Sequence, residues 1–270
     1  MENNDYVHGY SEREADRLTD QANTLTSLLH EGTSYPPGSR VLEVGCGVGS
    51  QTVFLAANSP KAHFTSIDLS EESLAEAQKR VAEKGFTNVT FQKADIFHLP
   101  FPKESFDHIF ICFVLEHLPR PTDALSLLKD LLQPHGTITA IEGDHGSAYF
   151  HPDSIYARKA IQCLIDLQEV SGGNSLIGRQ LYPLLTSAGF KNVFVRPRVV
   201  YADSSRPELV DGFTKKTFTA MVEGVKKEAL RKKMISEQEW EQGIADLYKT
   251  AEQGGVFCYT FFKGVGEITL

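Results

Sequence analysis

The sequence predicts an α/β fold: a doubly wound, mostly parallel sheet with helices on both of its faces. Short apolar segments alternate with segments that repeat apolar residues at helical spacing, which is typical of βαβ units. Residues 40–52, RVLEVGCGVGSQT, join an apolar strand pattern to a helical pattern through three closely spaced glycines. Such a turn lets a ligand approach the backbone and directs helical N–H groups towards an anionic group. We therefore expect a ligand site beyond the carboxyl end of this first strand.

The strands are predicted from apolar runs that turn residues bound on either side. In chain order they cover residues 40–44, 64–68, 89–92, 106–112, 137–142, 193–201 and 255–263. Gly136 is expected to turn the chain into the fifth of them. This spacing of strands predicts a seven-stranded sheet.

Helices are predicted where apolar residues recur at helical spacing. Ser11 can cap a helix that runs to Leu29, and Ser70 can cap another that ends at Gly85. The other helices are expected at 51–57, 123–132, 154–170 and 178–188, and the long insertion at 202–254 also has helical patterns. A long structured insertion near the ligand end of a sheet is more often functional than decorative.

The composition is that of an ordinary globular chain, with 41% hydrophobic and 23% charged residues among 270. A formal net charge of −8 argues against a broad nucleic-acid-binding face. The four cysteines are scattered and form no CxxC pair, so they indicate neither a disulfide framework nor a zinc site. The polar start is unlike a targeting peptide, and no apolar run reaches the ~18 residues of a spanning helix. We expect a cytoplasmic protein without nucleic-acid or membrane partners.

Two acids accompany the glycine turn. Glu43 stands inside the first strand, where a buried carboxylate requires a donor or a cationic ligand. Asp68 ends the second strand 23 residues after Gly45, where an acid can accept hydrogen bonds from ribose hydroxyls. The spacing is G-x-G-x-G, with Ser50 in place of the third glycine of the dinucleotide fingerprint, which disfavours an NAD-dependent oxidoreductase. A nucleoside that carries a carboxylate and a positive charge, but no pyrophosphate, suits this set.

These residues resemble the first two motifs of the class I S-adenosylmethionine (SAM)-dependent methyltransferases. Later segments of the chain resemble that family in the same order: KADI at 93–96, SFDHIF at 105–110, VLEHL at 114–118 and LQPHGT at 132–137. His135 replaces one glycine of the family's L-x-P-G-G turn. The similarity is close over 40–140, and its character is that of the small-molecule branch related to ubiquinone and menaquinone biosynthesis enzymes.

The resemblance implies that SAM is the cofactor and S-adenosylhomocysteine (SAH) the product. Glu43 would lie near the amino-acid end of SAM, and Gly45 and Gly47 under its methionine part. The nucleoside would contact Asp68 at the ribose, Leu69 and Ile96 at the adenine faces, and Asp95 at the adenine amino group. The family places further residues at the cofactor, which here are Tyr10 as a lid, Cys46, Gln51, Ala94 and Phe113, with Arg17 as a partner for the carboxylate. Cys46 also reads as a small packing residue, and Tyr10 and Arg17 as residues of a helix that only packs on the domain.

A general base is needed only if the acceptor must lose a proton. His117 follows Glu116 where the family places residues close to the methyl group, and an imidazole with a pKa of about 6.5 suits that role. His145 is the second candidate, in a cluster with Glu142, Asp144 and His151 after the fifth strand. That cluster can contact the acceptor or serve as the base, and its residue types also fit a divalent metal, although we expect none. His117 can equally be a histidine that only caps the start of a helix.

We expect a single methyltransferase domain over residues 1–270. Its parts are an N-terminal helical lid (1–38), a SAM-binding core (39–146), the rest of the sheet with a cap helix (147–201), a helical cap insertion (202–254) and the last strand (255–270). The expected function is methyl transfer from SAM to a small molecule by in-line displacement. The alternatives are a protein or RNA acceptor and a SAM-binding protein without catalysis. The basic run KK at 226–227 and RKK at 231–233 is interleaved with acids and reads as a solvated helix face. The sequence leaves open the acceptor, the methylated atom and the oligomeric state.

Overall fold

The computed structural model describes residues 24–269. Tyr10 and most of the helix expected at 11–29, including Arg17, lie outside the described residues; the described part is helical over 24–30. The chain forms two compact units. Of the described residues, the sheet unit contains Thr26–Glu142, Ile177–Pro197 and 262–269. The helical unit contains 24–25, Gly143–Leu176 and Arg198–Phe261.

The strands form one seven-stranded sheet within residues 24–269, in the order β3-β2-β1-β4-β5-β7-β6. Their bounds are β1 Arg40–Val44, β2 His63–Asp68, β3 Val89–Lys93, β4 Phe106–Cys112, β5 Leu132–His151, β6 Lys191–Asp203 and β7 Val256–Glu267. The pairs β1–β2, β1–β4, β2–β3 and β4–β5 are parallel. The predicted mostly parallel sheet is therefore confirmed. The strand order reverses between β1 and β4, which is where ligands bind in open sheets of this kind.

The helices follow the predicted alternation. Their bounds are α1 24–30, α2 Ser50–Asn58, α3 Glu71–Glu83, α4 Pro121–Asp130, α5 Ile155–Val170 and α6 Leu181–Ser187. The insertion after β6 is helical, as expected: Pro207–Leu209, a π-helix Val210–Thr219, Ala220–Gly224, Lys226–Arg231 and Glu237–Lys249. The hydroxyl of Ser70 accepts a hydrogen bond from the N–H of Ser73 at 3.1 Å, which confirms the predicted cap of α3.

The predicted boundaries of β5 and of the helix before it are wrong. The helix expected at 123–132 is α4, which starts at Pro121 and ends at Asp130. The strand expected at 137–142 runs from Leu132 to His151, so the cluster predicted after it lies within β5. Leu132 pairs with Phe106, whereas Thr137 already pairs with His108, so β5 holds extra residues between these two pairs. His135 has a φ of 64° within this bulge. The turn residues were recognised correctly, but they bulge inside a strand instead of preceding it.

Each unit has its own core. In the sheet unit, buried residues of β1, β4, β5, α4 and α6 pack together, among them Leu42, Ile109, Leu128, Ile138 and Leu185. In the helical unit, Phe213, Phe218, Phe257, Tyr259 and Phe261 form a cluster of aromatic rings. No helix within residues 24–269 has both the length and the apolar character needed to cross a membrane.

Candidate functional site

The glycine loop leaves β1 in a left-handed conformation. Gly45, Gly47 and Gly49 have φ values of 69°, 51° and 78°. A Cβ on Gly45 would lie 2.4 Å from Cγ2 of Val114, and a Cβ on Gly49 would lie 2.9 Å from Cα of Ala77. A Cβ on Gly47 would meet nothing within 4 Å. Packing thus requires glycine at the first and third positions, and the backbone of Gly47 is the part of the loop that a ligand can approach.

Asp68, at the end of β2, fixes this loop. Its Oδ2 accepts a hydrogen bond from the N–H of Gly47 at 2.8 Å, and its Oδ1 accepts one from the N–H of Ser70 at 2.9 Å. The N–H groups of Gly45 and Cys46 donate to the carbonyl of Ile67 at 2.8 and 3.0 Å. Each carboxylate oxygen keeps a further lone pair, so Asp68 can hold the loop and still accept from a ribose hydroxyl.

Glu43 is a buried acid directly below the glycine loop. Its Oε2 accepts a hydrogen bond from the hydroxyl of Ser66 at 2.6 Å, and its Oε1 is buried without a hydrogen bond of normal geometry from any described residue. Burial raises the pKa of Glu43 to about 7; side-chain hydrogen bonds from Ser66 and Thr52 oppose this rise, and the charge of Asp68 adds to it. A cationic group bound nearby would stabilise the ionised form of this carboxyl.

The third acid, Asp95, follows β3. Its Oδ1 accepts from the N–H of Phe97 at 2.9 Å, and its Oδ2 lies 2.9 Å from Nδ1 of His98. Burial raises its pKa, but the hydrogen bonds from Phe97 and His98 outweigh burial and hold the pKa below its usual value. Of the two residues expected against adenine, Leu69 is 61% exposed, whereas Ile96 packs into the core of the sheet unit.

The other residues expected at the cofactor are mostly engaged within the sheet unit. Cys46 is buried, and burial raises the pKa of its thiol. The side-chain oxygen of Gln51 lies 2.5 Å from Nε2 of His30. The N–H of Ala94 donates to the carbonyl of Asp68 at 3.1 Å, and Phe113 has a φ of 58°. Ala94 therefore borders Asp68 directly, and Phe113 forms the bend that ends β4.

His117 belongs to the sheet unit, like every described residue of the expected cofactor site. It ends a one-turn 3₁₀-helix, Leu115–His117, which follows β4. Its N–H donates to the carbonyl of Val114 at 3.0 Å, and its Nε2 lies 3.6 Å from a carboxylate oxygen of Glu116. A neighbouring carboxylate stabilises a protonated imidazole.

His145 belongs to the helical unit, together with Asp144 and His151, whereas Glu142 belongs to the sheet unit. The His145 ring is buried in the aromatic cluster, with Nδ1 2.8 Å from the hydroxyl of Tyr259 and the ring 6.0 Å from that of Phe218. The backbone N–H of His145 donates to the backbone carbonyl of Ser175 at 2.9 Å. Within residues 24–269, no group of three or more His, Cys, Asp and Glu residues is arranged to hold a metal ion.

Sequence reasoning missed two residues of the site. Ser66 bonds Glu43 because the two pair in register across β1 and β2, so the alignment of the two strands could have identified it. Val114 contacts the glycine loop through its side chain, and no sequence pattern indicates a contact over that separation.

A protein-family model described as a methyltransferase domain matches residues 36–189, which is more than half of the chain. The chain is 31% identical over 209 residues to an uncharacterized 37.1 kDa protein in transposon TN4556 of Streptomyces fradiae. The aligned region covers 76% of this chain and 59% of that protein. It is 32% identical over 106 residues to the demethylmenaquinone methyltransferase of Listeria monocytogenes serotype 4a (strain HCC23). That aligned region covers 39% of this chain and 45% of that enzyme.

Among solved structures, that of the 4+2-cyclase SpnF is similar to this chain with a TM-score of 0.57 at 22% identity; the similarity covers 95% of this chain and 81% of that one. This likeness shows the fold and leaves the chemistry open, because one fold hosts many reactions. The chain spans about half the length of the curated relatives it matches.

Proposed function

Since this chain belongs to the class I SAM-dependent methyltransferase family, we propose that it transfers the methyl group of SAM to a small-molecule acceptor. Membership of the family confirms SAM as the expected cofactor, with SAH as the product. The observation that carries the proposal is the glycine loop, whose central residue Gly47 is held by Asp68. A loop fixed in this way above the buried acid Glu43 suits a ligand with both a ribose and a cationic group.

The chain's own residues would divide the cofactor between them. Glu43 would face the ammonium group, and the Gly47 backbone would lie under the methionine part. Asp68 would accept from the ribose hydroxyls, Asp95 from the adenine amino group, and exposed Leu69 would cover one adenine face. The bound cofactor supplies an electrophilic methyl group on a sulfonium, so the protein's main task is to hold the acceptor atom in line with it.

We assign His117 as the group that takes a proton from an acceptor that has to lose one. The proposal is supported by its place in the sheet unit and by the Glu116 carboxylate 3.6 Å from Nε2, which stabilises the imidazolium that forms. His145 remains the second candidate for a contact with the acceptor; its ring is held in the helical unit by the hydrogen bond with Tyr259. The insertion 202–254 and the segment 147–173 are proposed to select the acceptor.

A small acceptor is favoured over nucleic acid by the charge of the chain. The net charge is −8, and part of the basic run is paired with acids. Lys226 lies 3.5 Å from Glu237 and 3.4 Å from Glu241, while Arg231 lies 2.5 Å from Glu228. A relative whose name gives demethylmenaquinone as its acceptor supports a quinol-like or other small acceptor. We also propose a cytoplasmic location, since all four cysteines are free thiols.

Calorimetry with SAM and SAH on the full chain tests the cofactor, and mass spectrometry after incubation with SAM tests the acceptor. We expect micromolar binding of both ligands and methylation of a compound from a panel of phenols, quinols, amines and thiols. A folded protein that binds neither ligand would contradict the proposal. Methylation of RNA or of proteins in a parallel incubation would assign the macromolecular alternative, and binding without any product would assign a SAM-binding protein without catalysis.

A further inference from the structure

Glu142 is a buried acid that the proposed chemistry does not use. It is fully buried at the end of the sheet-unit part of β5, where a carboxylate is costly unless something compensates it. Its Oε1 accepts hydrogen bonds from the N–H of Val114 at 3.1 Å and from the N–H of Leu115 at 2.8 Å. Both donors belong to the start of the 3₁₀-turn Leu115–His117.

This turn has no cap from its own sequence. Val114 is its N-cap residue and has no side chain that can accept a hydrogen bond from the first N–H groups of the turn. Glu142 supplies that acceptor from a different strand, 27 residues away from Leu115 in the chain. Successive backbone N–H groups that converge on one acceptor form a recognised binding arrangement, which here holds the carboxyl group of Glu142.

The same turn also contacts the cofactor loop. The side chain of Val114 packs so closely on Gly45 that a Cβ there would lie 2.4 Å from Cγ2 of Val114. The turn ends in Glu116 and His117, whose side chains lie 3.6 Å apart. A shift of the Val114 and Leu115 backbone would therefore disturb both the glycine loop and the proposed base.

We propose that Glu142 is a positioning residue, which holds the turn after β4 and thereby sets both the glycine loop and His117. This inference rests on the proposed function, since it assigns those two features to cofactor binding and to proton transfer. Burial and the nearby charge of Glu116 raise the pKa of Glu142, whereas the backbone hydrogen bonds lower it. A neutral carboxyl still accepts through its carbonyl oxygen, so the role depends on an oxygen at this place and less on the charge.

The variants Glu142→Leu and Glu142→Gln separate the contribution of the acceptor oxygen from that of the negative charge. Leucine keeps much of the buried volume but offers no acceptor, whereas glutamine keeps a carbonyl oxygen. Hydrogen–deuterium exchange rates of the amides of 114–117 measure the stability of the turn, and the SAH affinity measured by calorimetry reports on the glycine loop. Leu185→Ala, a fully buried core change in α6, controls for a general loss of stability.

We expect Glu142→Leu to speed exchange of the Val114 and Leu115 amides at least tenfold and to weaken SAH binding at least fivefold. Glu142→Gln should restore both to within about twofold of the natural chain, and Leu185→Ala should lower the melting temperature without selective exchange at 114–117. Unchanged exchange and binding in a folded Glu142→Leu protein would overturn the inference. So would a Glu142→Gln protein as impaired as Glu142→Leu, or the same selective exchange in Leu185→Ala.

Should Glu142→Leu fail to fold, the comparison of Glu142→Gln with Glu142→Asp decides. The shorter Asp side chain keeps the acid but withdraws its oxygen from the turn, so it should expose the two amides while Gln protects them; the reverse order would overturn the inference. Failure of the natural chain to bind SAH would instead contradict the proposed function, and the exchange data would still test the hold of Glu142 on the turn.

Discussion

The carboxylate of Asp68 accepts a hydrogen bond from the backbone N–H of Gly47 at 2.8 Å, so the end of β2 holds the centre of the glycine loop that follows β1. An acid at this position would have two roles. It orders a loop whose glycines have positive φ values, and it keeps lone pairs for ribose hydroxyls. The two functions can be separated by substitution.

We expect Asp68→Ala to weaken SAH binding at least tenfold, which corresponds to about 1.4 kcal/mol, because both the loop support and the ribose acceptor are lost. Asp68→Asn keeps one oxygen that can accept from the Gly47 N–H, so its loss of SAH affinity should be smaller. Calorimetry with SAH measures both. Asp130→Ala, which removes an acid of the same unit that pairs with Lys103, should bind as the natural chain does; equal losses in all three variants would refute the assignment.

The glycine at position 45 should not tolerate any side chain. In Gly45→Ala the new Cβ would meet Val114, and a φ of 69° is strained for alanine, so we expect the free energy of unfolding to fall by roughly 1–3 kcal/mol. SAH binding should weaken at the same time. Gly224→Ala is the matched control, since a Cβ there meets nothing within 4 Å and the residue is helical. Denaturant unfolding measures both variants, and an equally stable Gly45→Ala protein would contradict the account.

Glu43 should make stability depend on pH. Its folded pKa, about 7, is higher than its ordinary value of 4.5, so the folded state holds the proton after the unfolded state has lost it. The contribution of Glu43 to stability is therefore complete below pH 4.5 and is lost as the pH rises towards 7, by roughly 3 kcal/mol in total. Denaturant unfolding between pH 4 and 8 should show this loss in the natural chain and not in Glu43→Gln.

The same shift predicts how a cationic ligand responds to pH. If SAM binds the ionised form of Glu43, its affinity should rise roughly tenfold between pH 6 and pH 8, because the free carboxyl has a pKa of about 7. Calorimetry in buffers of different ionisation enthalpy would also detect the released proton. Glu43→Gln should bind SAM more weakly and without this dependence; an equal pH dependence in the variant would assign it to another group.

His145 and Tyr259 should be coupled energetically within the helical unit. Their hydrogen bond of 2.8 Å is buried among aromatic rings, where the net contribution of a hydrogen bond to stability is about 1 kcal/mol. A double-mutant cycle with His145→Leu and Tyr259→Phe should give a coupling of about 1 kcal/mol in the free energy of unfolding. Additive losses would show that the contact contributes nothing to stability.

The sequence by itself determined the elements that local chemistry defines. The bounds of β1 and β4 match their apolar runs, Ser70 caps α3 as expected, and the order of acids and glycines was sufficient to identify the family. These features are encoded over a few residues at a time: an apolar run, a cap, a turn that only glycine adopts. They leave little for distant contacts to change.

Tertiary structure alone decided where side chains separated in the chain meet. Leu132 continues a helical pattern, yet its pairing with Phe106 places it in β5 and turns Pro134–Gly136 into a bulge. Glu142 looked like a member of an acceptor cluster, but its carboxylate is bound to the turn after β4. The physical reason is the same in both cases. Strand pairing and buried hydrogen bonds depend on contacts between elements that the chain order does not specify, and they override the local pattern when the two disagree.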